Sequence, residues 1–280
     1  LPFYSLMVNF FLSYLSIDAL SVWRMLKRYG VRILLVTIAK LLILPVLLYY
    51  IFQLVAPHYS LSALLLTGVS AGVVAPMISN MAGGNSALVL LFVVITSALA
   101  PFTLPALIKI VLSKNSAISF LPMLQTLATV IFVPIAVVEI VRRVLPRLIT
   151  PILRIQFPVS LLLFAMINLG VFYRYAPFFR QDPLVILTAT LVAFILAAVY
   201  CMFGISFFRK DPVEDRLAGA VMLVNINNVL VIVFSSEFFG PVEPLVAAMY
   251  MIPFFAILIP LRYYSRIKDA EARNKAVSRT

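Results

Sequence analysis

Lys40 stands alone, deep in the apolar run 31-VRILLVTIAKLLILPVLLYYIFQLVA-56. It lies about nine residues from the nearer end, or ~13 Å at the helical rise per residue. That is close to the middle of a hydrocarbon core ~30 Å thick. An ammonium at that depth costs several kcal/mol unless something polar or anionic meets it, so it marks a functional site by default. The alternative is a side chain that snorkels toward the interface near Arg32, with a stem of ~6 Å to cover the ~13 Å of depth.

Two further apolar segments carry groups able to do chemistry. In 67-TGVSAGVVAPMISNMAGGNSALVLL-91, Gly68, Ser70, Gly72 and Pro76 occupy the middle, followed by Ser79, Asn80, Gly83, Gly84 and Asn85. Pro76 removes a backbone donor and disfavours helical geometry at Ala75, so a helix is expected to break here and restart with Pro76 at its first position. In 217-LAGAVMLVNINNVLVIVFSSEFFG-240, Asn225, Asn227 and Asn228 interrupt an otherwise apolar helix near its centre. Such amides are costly in lipid and need partners: freed backbone groups at a break, or a ligand. Hydrogen bonds that merely glue neighbouring helices are the alternative.

Other residues offer less. Thr96 and Ser97 either face a cavity or bond back to their own helix. Glu139 precedes Arg142 and Arg143 at the spacing of a helix-end ion pair. His58, beside Pro57, reads as a loop residue. The single Cys201 excludes an internal disulfide and a cysteine-rich metal site. No carboxylate pair, His-Glu cluster or Ser/His arrangement sits within a span, and Lys40 has no partner base, so an enzyme is not expected. No metal site or cofactor is expected either.

The elements that must position these residues are membrane helices. The 280 residues are 64% hydrophobic and 11% charged, far below the charge of a soluble domain. Long apolar runs predict about nine spans, near 1–17, 31–56, 60–82, 86–112, 118–141, 155–173, 183–207, 216–236 and 242–264. The chain opens in an apolar stretch with no cleavable signal pattern. Segment 18–30 reads as an amphipathic helix on the inner surface, with Asp18 as N-cap, Leu20, Trp23 and Leu26 as its apolar stripe, and Arg24, Lys27 and Arg28 facing headgroups. With the N-terminus outside, only Lys109, Lys114, Arg174 and Arg180 of the 22 basic residues fall outside, and all but Lys40 of the others fall inside. This bias orients the chain N-out and C-in, in the cell membrane. It also explains the net charge of +12 without nucleic acid as a partner; the lipid bilayer is the partner.

An odd number of spans allows inverted repeats: 1–112 as one unit, 113–145 as a linking helix, 146–264 as the second unit, and 265–280 as a cytoplasmic tail. Transporters built this way bind substrate where interrupted helices meet near the midplane. The two interrupted segments fall on the third span of each unit.

In order and spacing, 15-LSIDAL-20, 40-KLLILP-45, 82-AGGNSALVLL-91, 95-ITSALAPFTLPALI-108 and 223-LVNINN-228 resemble the bile acid:sodium symporter family. The resemblance runs over nearly the whole chain, and the chain looks like the nine-helix form. It implies an all-α polytopic carrier of small organic anions, with two discontinuous helices crossing in a core domain that moves against a panel domain. Sodium-coupled members place oxygen-bearing residues where this chain has Ala75 and Pro76, Val89 and Val93, Lys40, and Leu223. A Gln-Asn pair survives as Asn227 and Asn228. The sodium sites therefore read as degraded. Lys40 is expected to stand in for a bound cation, or to cycle a proton, so sodium and proton coupling both stay open. The expected substrate and crossover residues are Lys40, Gly72, Ala75, Pro76, Ser79, Asn80, Asn85, Thr96, Ser97, Asn225, Asn227 and Asn228. A sodium-coupled carrier and a non-transporting or channel-like subunit are the competing readings.

Overall fold

The structure, a computed structural model, describes residues 2–17, 19–112, 120–181 and 183–277. Asp18 and the side chain of Leu20, expected to start an amphipathic helix, lie outside the described residues, as does Lys114. The chain is a bundle of helices: α1 (Pro2–Leu15), α2 (Ala19–Ile38), α3 (Leu44–Val55), α4 (Ser60–Gly68), α5 (Ala75–Ala82), α6 (Ser86–Leu112), α7 (Phe120–Val144) and α8 (Ile149–Gln181). There follow α9 (Leu184–Phe207), α10 (Val213–Val224), α11 (Asn228–Phe238), α12 (Val242–Met249), α13 (Met251–Ala256) and α14 (Leu258–Val277). Among the described residues the one β feature is an isolated antiparallel bridge between Ala71 and Ile226.

Among the described residues six segments are long and apolar enough to cross a membrane: Val22–Val55, Ser86–Leu112, Phe120–Val144, Pro158–Phe178, Leu184–Phe207 and Val242–Ile267. The first corrects the sequence reading. Residues 19–30 are not a separate surface helix; α2 continues through Gly30 and joins α3 through a single π turn, Ala39–Ile43. Gly30 has open space around it and an ordinary φ, so nothing forces a break there.

The π turn has a local cause. Pro45, in the first turn of α3, has no N–H for the carbonyl four residues earlier, and its ring crowds that carbonyl. The helix loosens just ahead, and the Leu44 N–H bonds the Ala39 carbonyl five residues back. Lys40 sits inside this turn.

Both predicted interruptions are present. α4 ends at Gly68, and extended chain leads to α5, where Pro76 is the second helical residue rather than the first. α10 ends at Val224 and α11 begins at Asn228. Around these breaks α3 packs on α4, α5 on α6, α9 on α10, and α11 on α12, while α1 packs against α7 and α8. At the end of α7, Arg142 pairs with Glu139 at 3.5 Å, as the spacing predicted. The same guanidinium donates to the carbonyls of Tyr14, Leu15 and Ile17, capping the C-terminus of α1.

Small residues bring α9 and α10 into backbone contact. A Cβ added to Gly204 would lie 2.3 Å from the Gly219 carbonyl oxygen, the close approach that small residues permit between membrane helices. Gly204→Ala is therefore expected to separate these helices and cost about 1–3 kcal/mol. Gly30→Ala, with open space and a better helix former, is expected to be neutral or stabilising by up to ~1 kcal/mol. Thermal unfolding of the two purified variants checks both.

Candidate functional site

The breaks meet and satisfy each other. The Gly72 N–H donates to the Asn225 carbonyl at 2.6 Å, and the Asn227 N–H donates to the Ser70 carbonyl at 2.9 Å. Two helices interrupted in a bundle thus exchange the backbone bonds each has lost. Gly72 is required by proximity: a Cβ there would lie 2.7 Å from the Ile226 carbonyl oxygen. The Ala71 N–H is met by the Thr96 Oγ1 at 3.1 Å, and that hydroxyl donates to the Phe92 carbonyl at 2.7 Å. Thr96 therefore does both things the sequence left open: it bonds back to its own helix and reaches the break.

Lys40 meets the C-terminal end of α4. It is fully buried, and its Nζ donates to the Thr67 carbonyl at 2.7 Å and the Val69 carbonyl at 2.6 Å. The ammonium also lies 5.2 Å from the centre of the Tyr200 ring, whose hydroxyl donates to the same Thr67 carbonyl at 2.8 Å. The last carbonyls of a helix lack intrahelical donors and carry the negative end of its dipole. A cation suits that position. Snorkelling toward Arg32 does not occur.

The second break is tied to the C-terminal helices by two hydrogen bonds. The Tyr250 hydroxyl donates to the Val224 carbonyl at 2.9 Å, and the Asn225 Nδ2 donates to the Phe254 carbonyl at 2.9 Å. Asn227 is the N-cap of α11, its side-chain oxygen accepting from the Leu230 N–H at 3.2 Å. Asn228 is 3% exposed, and its Nδ2 has no partner among the described residues.

A cleft of about 70 Å3 opens at the crossing. Gly72, Val73 and Val74 line it from the first break, Ile226 to Val229 from the second, and Leu6, Asn9, Phe10 and Ser13 from α1. The N-terminal ends of α5 and α11 both face it, so two positive dipole ends border a small, partly polar space. Such a place favours an anionic group.

The structure brings Gly72, Thr96, Asn225, Asn227 and Asn228 together, with Lys40 bracing the same break from behind. Ala75 and Pro76 open α5 beside the cleft. Ser79, Asn80 and Asn85 are carried away, since α5 spans ~12 Å. The Ser79 side chain is buried, Asn80 is exposed, and Asn85 caps α6 by accepting from the Leu88 N–H at 3.1 Å. Ser97 is buried, and its hydroxyl lies beside that of Tyr14 of α1. Val89, Val93 and Leu223 are fully buried and offer no oxygen ligand.

Sequence reasoning missed the carbonyls of Thr67, Val69 and Phe254, and the hydroxyls of Tyr200 and Tyr250. It also missed Asp215, a buried carboxylate whose Oδ1 accepts from Asn85 at 2.8 Å and whose Oδ2 accepts from Tyr29 at 2.9 Å. A charge at the foot of an apolar helix was its one legible signal.

A sequence model of the Sodium Bile acid symporter family matches residues 4–181, from α1 through α8. No curated protein matches the chain. The second break lies beyond the matched residues, and its hydrogen bonds tie it to the first, which lies within them.

Gly72→Ala forces a Cβ against the Ile226 and Asn225 carbonyls, so it is expected to destabilise by about 1–3 kcal/mol and open the bridge. Amide hydrogen exchange should then speed up at residues 70–73 and 225–228 together. Faster exchange at one break alone would contradict the mutual pairing.

Proposed function

Because the chain belongs to the sodium bile acid symporter family, we propose that it is a secondary transporter of a small organic anion, working by alternating access with Lys40 in place of a bound cation. The observation that carries this reading is the Lys40 ammonium on the Thr67 and Val69 carbonyls, directly beside the crossed breaks. Family membership and six long apolar helices make the chain an integral membrane protein of a transporter family.

The finer architecture follows the same reading. α4 and α5 together, and α10 and α11 together, count as one interrupted crossing each. With α1 and the six long apolar segments they make about nine crossings, arranged as inverted repeats. The N-terminus is outside and the C-terminus cytoplasmic, in the cell membrane, on the strength of the basic-residue bias.

The chemistry supports independence from sodium. Alkali-metal ions need several hard oxygen ligands, and Leu223, Val89 and Val93 supply none. A tethered ammonium gives the Thr67 and Val69 carbonyls a positive charge and two donors without any binding equilibrium. The substrate's anionic group sits in the cleft at the N-terminal ends of α5 and α11, with Asn228 Nδ2 as a free donor. Asn9 and Ser13 of α1 complete the wall.

Uptake of a panel of carboxylates and sulfonates into proteoliposomes tests this. The expected flux is saturable, stimulated by counter-substrate and insensitive to a sodium gradient. Lys40→Ala orphans the Val69 carbonyl, at about 1–3 kcal/mol, and is expected to lower both Tm and uptake, the latter at least ~10-fold. Lys40→Gln keeps a donor and should recover part of the stability. Strict sodium dependence of the unmodified protein would overturn the substitute-cation reading, and flux linear in concentration would indicate a pore.

A further inference from the structure

In the middle of α2, two to three turns before the π turn, Lys27, Arg28, Tyr29 and Arg32 line a cleft of about 570 Å3 whose opposite wall holds Asp211 and Asp215. We propose that this cleft binds the phosphate of an anionic phospholipid, with the lipid's acyl chains lying along the apolar face of α2 just below.

The position places it at headgroup level. The segment Val22–Val55 has 34 residues, ~50 Å of helix against a hydrocarbon core of ~30 Å. The excess must lie outside the core, and the end bearing Lys27, Arg28 and Arg32 is the one that water and headgroups can solvate.

The charges in the cleft are not equivalent. Arg32 is paired with Asp211. Both oxygens of Asp215 are occupied, by Asn85 and Tyr29. Lys27 and Arg28 have no carboxylate partner among the described residues; they lie over aromatic rings, Lys27 at 5.4 Å from the Trp23 centre and Arg28 at 5.2 Å from that of Tyr29. Two exposed cations thus border a pocket whose carboxylates are already committed, which suits a phosphodiester monoanion.

A soluble phosphate would use the cations alone. The helix offers more: Val31, Leu34 and Leu35 are 74%, 56% and 53% exposed directly below them. Cations above an uncovered apolar face match a molecule with an anionic head and hydrocarbon tails.

The site is also wired to the helices that break. Tyr29 and Asn85 share Asp215, and the Asn85 N–H donates to the Glu214 carbonyl at 3.0 Å. A lipid held by Lys27 and Arg28 therefore rests against the contacts that join α2, the α5–α6 turn and the first turn of α10.

Native mass spectrometry of the purified, delipidated protein titrated with phosphatidylglycerol or phosphatidylcholine tests the proposal. The expected result is preferential retention of phosphatidylglycerol. Lys27→Gln with Arg28→Gln should weaken that retention about 30-fold, with Tm unchanged. Arg147→Gln with Arg154→Gln, which removes the same charge from exposed positions elsewhere, should leave it intact. Equal retention by the first variant, or equal loss in the second, would overturn the site. Displacement of the lipid by inorganic phosphate at matched concentration would overturn the assignment to a lipid.

Discussion

In hydrocarbon an unpaired peptide group has no water to turn to, and this fold depends on how two helix breaks meet that constraint. Each break strands donors and acceptors that would cost about 1–3 kcal/mol apiece if left unmet. Neither could persist alone at this depth. Placed across each other, Gly72 donates to Asn225 and Asn227 donates to Ser70, so the interruptions become mutually necessary. Three further groups are met by Thr96 on Ala71, Tyr250 on Val224 and Lys40 on Val69. The close approach needs a residue without a Cβ at 72, and the chain has glycine there.

Lys40 completes this arrangement from one side. Pro45 loosens the helix into the π turn that holds Lys40, and the end of α4 presents carbonyls with no helical donor. An ammonium supplies charge and directed N–H groups at once, whereas a metal ion would supply charge alone and require oxygen ligands from all sides. Val89, Val93 and Leu223 supply no side-chain oxygen for such an ion, so on the proposed reading the amine is the better fit. On the proposed reading this has a functional cost: a tethered cation cannot leave with the substrate, so the energy of a sodium gradient cannot enter through this position.

Much of this was legible in the sequence because the relevant signals are local. Pro76 with its glycines, the cluster of asparagines, the depth of Lys40 and the spacing of Glu139 to Arg142 each follow from neighbours along the chain. The partners were not legible. Backbone carbonyls at Thr67, Val69 and Phe254 carry no residue signature, and Tyr200 and Tyr250 look like ordinary residues of apolar helices until the fold brings them in. Proximity in sequence did not carry over into space: Ser79, Asn80 and Asn85 follow Pro76 closely, yet the two-turn helix α5 carries them from the crossing, and Asn85 joins Asp215 instead. The supposed boundary at Gly30 failed because a glycine with free space and ordinary φ is tolerated inside a long helix.

The distribution of polar contacts indicates where such a bundle is able to move. The helices around the crossing are joined by hydrogen bonds at both ends of α5, through the bridge at Gly72 and through Asn85 on Asp215. α1 is instead locked to α7 by Arg142. Where α1 faces the crossing, the Tyr14 hydroxyl lies beside that of Ser97, and the Asn228 Nδ2 borders the cleft with no partner among the described residues. Hydrogen bonds across this boundary include those from Arg174 and Tyr175 of α8 to the Ser236 carbonyl, near the end of α11. On the proposed reading, a boundary tied by the Ser236 carbonyl near one end and only lightly at its centre is where the bundle would hinge while the crossing stays intact. On that reading the Asn228 amide, unpartnered among the described residues, is the group left for a ligand or for the same two surfaces in a second position.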